Sequence, residues 1–114
     1  MENKSSKFPK VSIGLPVYNG EKYLSKTLEN LLGQSFIDIE IVISDDGSSD
    51  RTQDICKEYS SKDPRVRYFR QGNNFGMPVK NFRFVLDNAL GEYFMFASHD
   101  DSWNHKYIEE LLNI

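Results

Sequence analysis

Apolar positions along this chain alternate between short continuous runs and stripes of helical period. VSIGLPVY (11–18) predicts a first strand, ending near Leu15 because Pro16 lacks the N–H a central ladder uses. In NGEKYLSKTLENLLGQ (19–34), Leu24, Leu28, Leu31 and Leu32 recur at helical spacing and Gly33 marks a stop. IEIVIS (39–44) is β-branched and nearly continuous, as in a strand covered on both faces. In DGSSDRTQDICKEYSS (46–61), Thr52, Ile55, Cys56 and Tyr59 form one stripe, and Asp50 and Gln53 have capping-box spacing. RVRYFR (65–70) predicts a short strand and QGNNFGMP (71–78) a loop. Pro78 then opens a helix with an expected inner face of Phe82, Val85, Leu86 and Ala89. EYFMFAS (92–98) predicts a fourth strand, and NHKYIEELLNI (104–114) one more helix. Residues 1–10 are polar and charged and read as a flexible leader.

Four β-α alternations predict an α/β domain with a mainly parallel four-stranded sheet, helices on both faces and right-handed crossovers. In such sheets ligands bind beyond the carboxyl ends of the strands, where three polar segments here converge. With 114 residues, 39% of them hydrophobic, the chain suffices for one packed core. A net charge of −3 argues against a nucleic-acid partner. The single cysteine, Cys56, forbids an intramolecular disulfide and suits a reducing compartment. No apolar stretch is long enough to span a membrane, so a cytoplasmic location is expected. Peripheral membrane attachment of a longer parent is compatible with that.

Two acid pairs, Asp45-Asp46 and Asp100-Asp101, end the second and fourth predicted strands. Either pair alone also suits ordinary turn and helix-cap chemistry. Two pairs at one sheet edge carry more weight, because like charges ~4 Å apart cost ~1 kcal/mol in water and ~4 kcal/mol at an effective dielectric of 20. A shared cation removes that cost, and oxygen-only ligands suit Mg²⁺ or Mn²⁺ bridging carboxylates to a diphosphate. Tyr18 reads either as a rim aromatic or as a stacking face for a base. His99 and His105 lack zinc-like companions; His99, beside the second acid pair, reads as a solvated loop residue, with contact to a ligand as the alternative. Cys56 reads as core, and Lys80 and Arg83 as a solvated face. Neither a dinucleotide fingerprint nor a P-loop is present.

VSIGLPVYNGEKYLSKTLENLLGQSF, IEIVISDDGSSDRT and NNFGMPVKNFRFVLDNALGEYFMFASHDDSW, in that order, resemble the family 2 glycosyltransferases. The resemblance covers about Val11 to the end of the chain. It implies the Rossmann-like nucleotide-binding half of a GT-A fold. It also implies metal-assisted, inverting transfer of a sugar from a nucleotide-diphosphate donor, a UDP-sugar above others, to an acceptor hydroxyl on a saccharide, lipid-linked saccharide or protein. Carried over by position, Pro16 and Tyr18 line the nucleotide pocket and Asp46 accepts a hydrogen bond from uracil. Asp100 lies near the ribose and metal, and Asp101 coordinates the metal.

Many members have Asp-x-Asp-Asp where this chain has Ser98-His99-Asp100-Asp101, which leaves open which carboxylate meets the metal. The family's acceptor site and general base lie C-terminal to that segment, and Glu109 and Glu110 read as helix-surface charges. The expectation is therefore a donor-binding part over 11–114, with no catalytic residue of its own and little or no transfer by itself. A non-catalytic nucleotide- or saccharide-binding module is the alternative. A receiver-like Mg²⁺-dependent signalling domain fits less well. RVRYFRQ ends its strand without an acid, and no lysine follows Asp101 until Lys106.

Overall fold

The computed structural model describes residues 8–72, 76 and 78–113. The leader over 1–7, and Asn73, Asn74, Phe75 and Met77 of the expected loop, lie outside the described residues. Eight elements alternate: β1 (Val11–Val17), α1 (Leu24–Leu32), β2 (Ile39–Asp45), α2 (Thr52–Lys62), β3 (Val66–Arg70), α3 (Pro78–Asp87), β4 (Tyr93–Phe96) and α4 (Tyr107–Leu112). The strands form one parallel sheet in the order β3-β2-β1-β4. The chain steps outward from β1 to β3, then α3 carries it back across the sheet to β4. The order reverses between β1 and β4, the switch point where such sheets leave a crevice.

Strand side chains alternate between faces, and the two faces differ in chemistry. Val11, Ile13, Leu15, Val17, Ile39, Ile41 and Ile43 join Leu24, Leu28, Leu31, Cys56 and Ile108 in one core, which places α1, α2 and α4 on that side. Full burial of each such side chain contributes about 1.5–3 kcal/mol. Burial pushes the Cys56 thiol up to about 12, so it stays protonated as a core residue.

The opposite face carries Ser12, Gly14, Pro16, Glu40, Val42 and Ser44, all buried, with α3 over it. Its polar groups pair internally. Ser12 Oγ donates to Glu40 (2.5 Å), Arg67 pairs with Glu40 (2.8 Å), and the Leu90 N–H also donates to Glu40 (2.7 Å). This corrects the expected inner face of α3. Asn81 and Val85 are the buried residues, whereas Phe82 and Leu86 are 45% and 46% exposed. A polar sheet face selects a helix stripe with a polar residue at its centre, and Asn81 bonds Ser44 there in both directions.

The first strand also differs from expectation, running two residues past Leu15, with Pro16 opposite Ser44. Val17 O accepts from Asp46 N on the β2 side, whereas Gly14 O accepts from Ala97 N on the β4 side. Alternation then turns Pro16 toward β4, whose pairing with β1 stops at Gly14. Its missing N–H costs no bond to β2. Asp50, expected to form a capping box with Gln53, instead bonds the Thr52 N–H (2.9 Å) and hydroxyl (2.6 Å). Lys10 binds Asp38 through its N–H and Tyr93 through its carbonyl, tying the chain just before β1 to both neighbours.

Candidate functional site

Asp45 and Asp46 end β2 side by side, and their environments separate them. Asp45 is fully buried; it accepts from Ser48 N (2.9 Å), from the Tyr68 hydroxyl (2.7 Å) and from Arg70 (3.1 Å). Burial and the adjoining Asp45 raise the Tyr68 hydroxyl well above the ordinary phenol range, so it remains a donor. The expectation that both carboxylates of this pair share a ligand is thereby corrected. Asp45 is neutralised by Arg70 within the protein, which also relieves its repulsion with Asp46. Asp46 instead lines a cleft with Pro16, Val17, Tyr18, Asn81 and Phe82.

The turns after β1 and β2 are stitched together. Asn19 adopts a left-handed backbone (φ 52°), its N–H donates to Ser48 Oγ (2.8 Å) and its side-chain oxygen accepts from Ser49 N (2.9 Å). Gly47, at φ 75°, makes the bend between the acid pair and Ser48. Gly20 N donates to Thr52 Oγ1 (2.9 Å), and Glu21 N to Asp50 (3.2 Å). These bonds leave Tyr18 at the rim, 49% exposed, where a flat ligand has access to its ring.

The second acid pair lies across Pro16. A neighbouring cleft is lined by Pro16, Phe82, Phe96, Ser98, His99 and Asp101, so Pro16 and Phe82 wall both clefts. Ser98 ties the loop: its N–H donates to Asp101 Oδ2 (3.0 Å) and its hydroxyl to Asp100 Oδ1 (2.9 Å). Thr27 of α1 anchors the loop backbone, donating to His99 O (2.7 Å) with Asp101 O at 3.1 Å. His99 is not the solvated loop residue expected; it is half-buried, with Nδ1 buried and without a partner among the described residues.

Among the described residues no group of three or more His, Cys, Asp or Glu could hold a metal alone. A divalent cation that keeps several waters and relies on substrate phosphates needs only one or two carboxylates, which Asp100 and Asp101 fit. Lys80 is exposed, Arg83 pairs with Asp87 (3.0 Å), and Glu109 and Glu110 are exposed on α4. Trp103 is held against α1, its N–H donating to Asn30 Oδ1 (2.9 Å). Sequence reasoning missed Asn81, 4% exposed on the cleft wall, and the Tyr68–Arg70 pair behind Asp45. The only local signal for Asn81 was a polar residue inside an apolar helix stripe.

A doubly wound parallel sheet with carboxylates flanking a crevice at its switch point defines an α/β ligand-binding domain of the Rossmann-like class. The sequence profile of glycosyl transferase family 2 matches residues 12–114, and the chain belongs to that family. The glycosyltransferase GlyA of Streptococcus pneumoniae is 39% identical over 102 residues, covering 90% of this chain and 14% of GlyA. The GalNAc(5)-diNAcBac-PP-undecaprenol β-1,3-glucosyltransferase of Campylobacter jejuni is 37% identical over 93 residues, covering 82% of this chain and 30% of that enzyme. In structure, S. aureus TarS 1–349 in complex with UDP-GlcNAc superposes with a TM-score of 0.84 at 32% identity, covering 91% of this chain and 30% of TarS. The fold is accordingly the nucleotide-binding half of GT-A. The chain spans less than a third of the length of each of these proteins. No helix among the described residues is long and apolar enough to cross a membrane.

Proposed function

We propose that residues 11–114 form the donor-binding part of a glycosyltransferase that uses a UDP-sugar and a divalent cation, Mg²⁺ or Mn²⁺. The observation that carries this reading is the meeting of two clefts at Pro16, one holding Asp46 and Tyr18, the other Asp101. On this reading the base lies against the Tyr18 ring with Asp46 accepting from it, and the diphosphate reaches toward Asp100 and Asp101. A cation bound there supplies Lewis-acid charge neutralisation for the departing nucleoside diphosphate. The likeness to UDP-GlcNAc-bound TarS supports a UDP-sugar donor, and the Campylobacter relative supports a lipid-linked saccharide among the acceptor classes. Transfer proceeds with inversion and needs a base within hydrogen-bond reach of the acceptor hydroxyl. None of the described carboxylates is assigned that role, so these 114 residues alone are expected to transfer sugar weakly or not at all.

Calorimetric titration of UDP in Mn²⁺ and then in EDTA, with Asp46→Ala and Asp101→Ala variants, tests the reading. Loss of a hydrogen-bonding or metal-binding carboxylate is expected to weaken binding by roughly ten-fold or more. EDTA is expected to do the same. Affinity indifferent to the metal and to both substitutions would sink it.

A further inference from the structure

His99 occupies the position between Ser98 and Asp100 with an arrangement that an ordinary loop histidine lacks. Its backbone carbonyl accepts from Thr27 (2.7 Å), and its ring lies beside Gly20. A Cβ at Gly20 would stand 2.7 Å from Val17 Cγ2, 3.0 Å from His99 Cγ and 3.1 Å from Nδ1, so a side chain there would crowd both neighbours. Nδ1 is a buried side-chain polar atom with no hydrogen-bond partner among the described residues. His99 also lines the cleft that contains Asp101.

Buried N–H groups without an acceptor are rarer than buried acceptors without a donor. In the neutral ring the proton therefore sits on Nε2, because the environment of one nitrogen selects the tautomer at the other. Ser98 donates to one oxygen of each loop carboxylate, Asp101 Oδ2 and Asp100 Oδ1. A carboxylate meets an oxygen-rich ligand only through a cation, whereas an Nε2–H can donate to it directly.

We infer that His99 is a donor-binding residue, held as the Nε2–H tautomer, whose N–H donates a hydrogen bond to a phosphate oxygen of the bound nucleoside diphosphate. The inference rests on the donor-site reading. It takes phosphate as the target because His99 shares its cleft with Asp101 and not with Asp46 or Tyr18. A hydrogen bond to a charged group corresponds to roughly a ten- to hundred-fold change in affinity. Glutamine, which can place an amide N–H near the position of Nε2, should preserve much of that contact, and alanine and leucine should not.

Two measurements on the whole chain test it. Long-range ¹H–¹⁵N spectra of the histidine rings, recorded above the ordinary histidine titration range and assigned with His99→Gln, should show the Nε2–H form for His99. The Nδ1–H form would overturn the inference whatever binds. Titrations with Mn²⁺ present should show UDP weakened roughly ten-fold or more by His99→Ala and His99→Leu, largely restored in His99→Gln, with uridine unaffected. Equal UDP affinity in wild type and His99→Ala, or an equal loss for uridine, would overturn the phosphate contact while leaving the donor site standing. Absence of UDP binding by the wild type would overturn the donor-site reading and this contact with it.

Discussion

Asp45 and Asp46 share a peptide bond yet have different work, and the difference comes from residues remote in sequence. Tyr68 and Arg70 reach Asp45 from β3, 23 and 25 residues away, and turn it into an internal strut beneath the turn that presents Asp46. Arg70→Met should leave the buried carboxylate with only Ser48 N and the Tyr68 hydroxyl, costing about 2 kcal/mol. Chemical denaturation would measure that loss. The same change should weaken UDP binding, because the turn carrying Asp46 loses its brace. Unchanged stability would mean that Arg70 is no more than a surface charge. At this scale the positions of Pro16, Tyr18, Asp46, Asp100 and Asp101 at one sheet edge were legible from local patterns. The sorting of the first acid pair was not, since it depends on a strand pairing that no local pattern prints.

Element boundaries followed the hydrophobic periods closely, and the misjudged face of α3 has a definite cause. The alternation of β1 and β2 hides a polar second face, built from Ser12, Glu40 and Ser44. A continuous apolar reading of β2 could not reveal it, and α3 was consequently given Phe82 and Leu86 beside the correctly placed Val85, in place of Asn81. Gly14 belongs to this face and lets α3 and β4 approach closely. A Cβ there would lie 2.5 Å from Phe94 Cζ and 2.8 Å from Val85 Cγ2. Gly14→Ala should therefore overpack the interface and destabilise the fold by about 1–3 kcal/mol, measured by thermal or urea unfolding. A neutral outcome would show that the Phe94 ring moves aside freely.

Across the whole molecule, burial is lopsided. β1 and β2 are enclosed, while β4 forms one margin of the sheet beside Phe82, Leu86, Leu90, Tyr93 and Phe96, each 45–50% exposed. An open strand edge with apolar neighbours favours association between copies. Sedimentation velocity should show concentration-dependent self-association, reduced by Leu86→Glu. A chain that stays monomeric at high concentration would remove that expectation. The opposite problem, a sheet that pairs too far, is settled by Pro16. Any other residue there would offer β4 one more N–H, and the two strands could zip onward over the ground between Asp46 and Asp101. The proline acts as a stop on that zipper. On its β4 side the crevice thus begins where β1 has no further N–H to give.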